Sequence, residues 1–237
     1  MTEAGGEEAN RVPVIAIDGP GGVGKGTLSR RLAAHLGFHL LDSGALYRLV
    51  ALGAEEQGVP LDDEQRLAAL AARLDVAFRL LAHEDVARPV LDGRAVGEEL
   101  RSERCGDNAS RIAGYPRVRA ALLARQRAFR RPPGLVADGR DMGSLVFPHA
   151  ELKIFLTASL EERAQRRYKQ LIAKGIGVSL APLLGEISAR DRRDRERSVA
   201  PMKPASDAVV IDTTARGIDD VFEHVMKIAS ERGVSGP

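Results

Sequence analysis

Short apolar runs without polar alternation recur along the chain: Val12-Pro13-Val14-Ile15-Ala16-Ile17, Phe38-His39-Leu40-Leu41, Leu135-Val136-Ala137, Leu152-Lys153-Ile154-Phe155-Leu156 and Ala208-Val209-Val210-Ile211. Runs this short and this rich in β-branched residues are the pattern of strands covered on both faces of a parallel sheet. Between them lie segments of helical period at about 25–36, 43–57, 116–131, 159–174, 182–197 and 217–231. Alternating strands and helices predict an α/β fold with a doubly wound, five-stranded parallel sheet.

The rhythm breaks between about 62 and 105. A helical stretch from Asp62 to Leu74 leads into an alternating run in which Val76, Phe78 and Leu80 share a face. A second run ends in Leu91-Asp92-Gly93-Arg94-Ala95-Val96, where Asp-Gly is a strong hairpin turn. These features predict a small antiparallel β-insertion beside the core. Residues 1–11 and about 231–237 read as loose tails.

The sharpest chemical signal joins the first strand to the first helix: Gly19-Pro20-Gly21-Gly22-Val23-Gly24-Lys25-Gly26-Thr27. Strand, glycine-rich turn, Lys and helix in that order form a P-loop, whose backbone N–H groups curl around phosphate oxygens at a helix N-terminus. Lys25 is then the cation that reaches the β and γ phosphates of ATP. The common pattern has Ser or Thr directly after Lys, and here Gly26 intervenes. Thr27, directly or through a water, is therefore the candidate Mg²⁺ ligand, and the sequence leaves that assignment open.

Ligands in such sheets bind beyond the carboxyl ends of the strands. Two further segments follow predicted strands and should open at the same end. Asp42-Ser43-Gly44-Ala45-Leu46-Tyr47-Arg48 combines a helix N-cap with an Arg suited to an acceptor phosphate. Asp138-Gly139-Arg140-Asp141-Met142-Gly143 offers two carboxylates and an Arg, either a substrate clamp or a metal site. A third segment, Arg190-Asp191-Arg192-Arg193-Asp194-Arg195-Glu196-Arg197, places Arg190, Asp194 and Arg197 on one helix face. Its residues also form ordinary i,i+4 pairs of a solvated helix, so the pattern alone does not decide between phosphate grip and surface.

Bulk composition narrows the field. With 237 residues and 44% hydrophobic content, the chain can bury one α/β core of mostly aliphatic side chains, since aromatics are 4% and Trp is absent. A net charge of +2 does not mark a nucleic-acid binder. Of the 35 basic residues 29 are Arg, which favours phosphate recognition, although a GC-rich genome explains the excess equally well. A single cysteine, Cys105, excludes an internal disulfide and any Cys-based metal site and fits a reduced, cytoplasmic setting. Residues 1–11 lack the pattern of a secretory leader, and no apolar run reaches the roughly 18 residues of a membrane span.

Taken in order, Ile17-Asp18-Gly19-Pro20, Gly24-Lys25-Gly26-Thr27, Leu41-Asp42-Ser43-Gly44-Ala45, Tyr47-Arg48, Pro116-Arg117-Val118-Arg119, Arg125-Gln126-Arg127, Ala137 through Gly143, Phe147-Pro148 and Arg190 through Arg197 resemble the bacterial cytidylate kinases, members of the P-loop nucleoside monophosphate kinases. The resemblance runs from about Val14 to about Ile228. It implies a monomer that moves the γ-phosphate of ATP to CMP or dCMP with Mg²⁺. It also implies a core domain (12–42, 115–158 and 175–231), a monophosphate-binding domain (43–114, carrying the insertion) and a short lid (159–174). By position, Ser43 and Arg48 match contacts to CMP, with Arg48 at its phosphate. Ser110, Arg119 and Asp141 match residues that read cytosine, Arg140 a phosphate contact, Arg190 and Asp194 ribose contacts, and Arg197 a further Arg of the closing site. The lid arginines Arg163, Arg166 and Arg167 become candidate transition-state clamps, alongside Lys25, Arg140 and Arg190.

Two other functions compete. One is a different small P-loop kinase with a UMP, AMP or shikimate acceptor. The other is a non-catalytic nucleotide switch, against which stands the lack of an Asn-Lys-x-Asp guanine motif.

Overall fold

The computed structural model describes residues 12–79, 88–91 and 93–237. The tail at 1–11, Leu80, and Asp92 of the expected hairpin turn lie outside the described residues. All five expected core strands form: β1 (Val14–Asp18), β2 (His39–Asp42), β6 (Leu135–Asp138), β7 (Leu152–Thr157) and β8 (Val209–Asp212). They assemble in the order β2-β6-β1-β7-β8, with β1 parallel to both β6 and β7, and β7 parallel to β8. Burial accounts for the choice of residues. Val14, Ile15, Ala16, Ile17, Leu135, Val136 and Ala137 have no exposed surface. A central strand between two helical layers leaves no face for a polar side chain.

Helix α1 (Lys25–Leu36) covers one face of the sheet through Leu28, Leu32, Ala33 and Leu36, a 3–4 spacing that meets Val221, Val225 and Ala229 of α9 (Ile218–Glu231). Each fully buried Leu or Ile here contributes roughly 1.5–3 kcal/mol.

The chain forms two compact units. The first holds this sheet, with α7 (Leu160–Ile172), and comprises residues up to Leu41, Arg127–Ile187 and Met202–Pro237. The second comprises Asp42–Gln126 and Ser188–Pro201. It contains α2 (Ser43–Glu56), α3 (Glu64–Arg73), α4 (Glu98–Arg101), α5 (Glu103–Ile112), most of α6 (Pro116–Arg127) and the end of α8 (Leu180–Glu196). The expected insertion is present as a three-stranded antiparallel sheet of β3 (Val76–Arg79), β4 (Arg88–Leu91) and β5 (Arg94–Ala95). Residues 116–126 and 188–201 fall with the second unit, where buried hydrogen bonds join Ser43 to Gln126 and Ser110 to Asp194.

Candidate active site

In the first unit the sheet order reverses direction at β1, whose neighbours are β6 and β7. The loop leaving such a strand opens into a crevice, which is where phosphate ligands sit. That loop is the predicted P-loop. Gly19 has φ 140°, and a Cβ there would stand 2.2 Å from the carbonyl oxygen of Leu156, so no side chain fits. Gly24 caps α1 in the left-handed region with φ 95°. Lys25 is 6% exposed and donates from Nζ to the carbonyl of Pro20 at 2.7 Å, which holds its ammonium on the loop.

Several charged groups of the first unit surround this loop. Arg140 bonds through Nη1 to the carbonyl of Gly139 at 3.1 Å, and its Nη2 lies 3.9 Å from the Cβ position of Gly21. Arg163, buried near the start of α7, donates to the carbonyls of Gly21 and Ala158, each at 3.2 Å. Arg166 bonds Glu162 and Thr213, and Thr213 in turn donates to the carbonyl of Val23 at 3.1 Å. Two of the three expected lid arginines thus brace the P-loop backbone directly or through Thr213. Arg167 donates to Gln170 along its own helix at 3.4 Å.

Two further carboxylates belong to the same setting: Asp138, which the sequence offered for a clamp or metal site, and Asp18, to which it gave no role. The Asp138 carboxylate lies 3.5 Å from the Cβ position of Gly26, the second residue of α1. Asp18, the last residue of β1, accepts from the backbone N–H groups of Met142 and Gly143, both at 2.8 Å. Burial raises the Asp18 pKa from 3.8 to about 7, and the Asp141 charge adds to the rise. The Gly143 and Met142 N–H groups and the Lys25 charge oppose it. Its two bonds pin the segment just after Arg140 and Asp141, where the chain makes a π-helical turn over Met142–Val146. Asp141 caps that turn and is 3% exposed. An Asp ending a strand before a P-loop was the available signal for Asp18, but its partners are backbone amides 124 and 125 residues away.

The Thr27 hydroxyl is exposed and accepts from Arg30 at 3.4 Å. The Thr27 hydroxyl and the Asp138 carboxylate are hard oxygen ligands, and in nucleotide kinases one or two such groups act together with substrate phosphates and waters. Among the described residues no cluster of three or more His, Cys, Asp or Glu could hold a metal by itself.

In the second unit, the remaining predicted residues group around α5. Asp42 caps α2, accepting from the N–H of Ala45 at 3.0 Å, as its sequence position implies. Ser43 donates to Gln126 at 2.8 Å. Arg48 of α2 donates to the carbonyl of Leu100, and its guanidinium meets that of Arg190 from α8 over Gly106. Both cations act on the Cys105 thiol, but burial outweighs them and pushes its pKa up. Ser110 donates to Asp194 at 2.8 Å, and Asp194 pairs with Arg197 at 3.8 Å. Arg119 donates to the carbonyl of Ala113 at 3.2 Å and stacks over Tyr47, 5.8 Å from the ring centre. Arg197 shares that carbonyl at 3.3 Å. Asp194 is 3% exposed, so the Arg190-Asp194-Arg197 face is packed inward and is not the solvated face of the helix.

The first unit therefore gathers Lys25, Arg140, Asp141, Arg163 and the P-loop, and the second gathers Ser43, Arg48, Ser110, Arg119, Arg190, Asp194 and Arg197. Comparison with known proteins shows the family. A family model described as cytidylate kinase matches residues 15–231. A cytidylate kinase of Aeromonas hydrophila is 57% identical over 220 residues, covering 93% of this chain and 95% of that protein. One from Pseudomonas fluorescens Pf-5 is 56% identical over 226 residues, covering 95% and 99%. One from Shewanella putrefaciens CN-32 is 54% identical over 224 residues, covering 94% and 97%. A match that takes in the P-loop, the Arg140–Asp141 segment and the arginines around α5 alike leaves no part of the site outside it: the chain belongs to the cytidylate kinase family.

Proposed function

We propose that this protein transfers the γ-phosphoryl group of ATP to CMP or dCMP, giving ADP and CDP or dCDP. The observation that carries the acceptor half is the convergence of Arg48 and Arg190, from two different helices, on one spot of α5. Two guanidinium groups on one spot can act together on an anion such as the acceptor phosphate.

The donor half follows from the P-loop. The loop N–H groups and Lys25 hold the β and γ phosphates, and Arg140, beside Gly21, adds positive charge where the γ-phosphoryl departs. Bound Mg²⁺, held through Thr27 and Asp138, would neutralise charge on those phosphates. In the transfer, an oxygen of the CMP phosphate bonds to the γ-phosphorus as the bond to the β–γ bridging oxygen breaks. ADP takes the electron pair. The attacking oxygen is already anionic, so no general base is required. Arg163, Arg166 and Arg167 belong to a lid over 159–174 whose closure excludes water from the reacting phosphates.

Base choice rests on hydrogen-bond polarity. Asp141 accepts from the cytosine amino group, and Ser110 and Arg119 donate to its acceptors. Uracil presents a carbonyl in place of the amine, which would face the Asp141 carboxylate lone pair to lone pair. A site built this way rejects UMP strongly, because the mismatch leaves a buried polar group unpaired. Arg190 and Asp194 hold the ribose, and Arg197 supports Asp194. The protein works as a cytoplasmic monomer, and among the described residues no helix is long and apolar enough to cross a membrane.

ADP release from Mg-ATP, measured with CMP, dCMP, UMP, AMP, GMP and shikimate as acceptors, tests this. Turnover confined to CMP and dCMP is the expected result. Equal turnover on UMP refutes the role of Asp141, and ATP binding without turnover on any acceptor refutes the kinase assignment.

A further inference from the structure

Gly106 lies in the middle of α5, a ten-residue helix. Alanine there would favour the helix by about 1 kcal/mol. The residue does not have the positive φ that would call for glycine. What surrounds it supplies the reason. A Cβ at this position would stand 2.9 Å from Nη2 and 3.3 Å from Cζ of Arg48, and 3.1 Å from Nη1 of Arg190. The nearest atoms are thus the tips of two long side chains, not backbone. A methyl group would push the guanidinium groups aside and leave α5 itself undisturbed. Its buried neighbours Cys105, Ala109 and Ser110 already form the packed face of the helix.

We infer that Gly106 is a positioning residue for the acceptor phosphate: the missing side chain lets the guanidinium groups of Arg48 and Arg190 lie against α5 and converge on the anion. The inference rests on the acceptor assignment above and deepens it. Holding two cations together before the ligand arrives is preorganisation, which spares the bound state the ordering that flexible arginines would otherwise require. Arg48 is fixed further by its bond to the carbonyl of Leu100. Arg48 reaches Gly106 from α2 and Arg190 from α8.

Gly106→Ala in the full chain tests this by calorimetric binding of CMP and of cytidine, with thermal denaturation and steady-state kinetics alongside. The variant should bind CMP about tenfold more weakly or worse, a loss of about 1.4 kcal/mol. Cytidine, which lacks the phosphate and keeps only the ribose contact of Arg190, should lose clearly less affinity than CMP. The KM for ATP should stay within about twofold, and the melting temperature should hold or rise because alanine is the better helix former. Unchanged CMP affinity overturns the inference. So does an equal loss for cytidine, or a loss of CMP binding accompanied by a lowered melting temperature, which would make Gly106 a packing residue. Binding and turnover separate this inference from the functional assignment. Wild-type protein that binds CMP without phosphorylating it refutes the kinase assignment alone, and the variant's CMP affinity still decides Gly106. Wild type that binds no CMP overturns both.

Discussion

Asp18 is a buried carboxylate at the end of β1, and its ionisation sets up a test in which two physical effects oppose each other. Its two bonds from the Met142 and Gly143 N–H groups favour the charged form, and hydrogen bonds to a charged group are worth about 1.5–3 kcal/mol each. Burial opposes them and prevails, so the folded-state pKa lies at about 7 against 3.8 for the unfolded chain. The consequence for stability has a definite sign. Below pH 3.8 the residue is protonated in both states and its contribution is fully present. As the pH rises, the unfolded chain releases the proton while the folded chain keeps it. The contribution falls and is lost as the pH passes through about 7. Between pH 5 and 8 the loss is on the order of 3 kcal/mol, at 1.36 kcal/mol for each unit of separation.

Asp18→Asn removes the titration and keeps the shape. Urea unfolding of wild type and variant at pH 5 and pH 8, at one ionic strength, yields a double difference in which every other titrating group cancels. Wild type should lose about 3 kcal/mol relative to the variant on going from pH 5 to pH 8. A double difference near zero, or one in which wild type gains as the pH rises, refutes the reasoning: the two N–H bonds would then outweigh burial and hold Asp18 ionised throughout. The variant also reports on function. An amide accepts through one atom only and turns its NH₂ toward the other backbone N–H. The segment carrying Arg140 and Asp141 then loses one of its two ties to β1, and kcat/KM for CMP should fall.

Other perturbations follow from the same geometry. Lys25→Met should lower kcat by roughly 10²–10³-fold, the usual loss when one charge-stabilising donor is removed, and near wild-type turnover would show that the ammonium on the Pro20 carbonyl takes no part. Gly19→Ala places a Cβ 2.2 Å from the Leu156 carbonyl oxygen at φ 140°, so its melting temperature should drop by several degrees, a destabilisation above about 2 kcal/mol. Asp141→Asn turns an acceptor-only group into one that donates, and the ratio of kcat/KM for CMP over UMP should narrow by about tenfold or more.

What the sequence disclosed and what it withheld divide by the range of the interaction. The strands were legible because Val14–Ile17 and Leu135–Ala137 are apolar without alternation, a pattern that only two covered faces produce. The P-loop was legible because all its parts are contiguous, down to the left-handed Gly24 that starts α1. The bonds that fix the site join distant segments and leave no local period. Asp18 reaches backbone amides of the π-helical turn at Met142–Val146, and an amide is the same whatever residue carries it. The charged run from Arg190 to Arg197 reads equally well as a solvated helix and as a packed one, because the i,i+4 pairs of a surface helix and the inward row Arg190-Asp194-Arg197 draw on the same residues. Ser110 decides between them, since its hydroxyl reaches Asp194 across 84 positions and buries it. Gly106 is the extreme case. Its contribution is an absence, and an absence becomes visible only when the side chains of Arg48 and Arg190 are seen to occupy the space. Residues that touch a substrate can be found by their chemistry. Those that place them are found by asking which atom a substitution would displace, and that question needs coordinates.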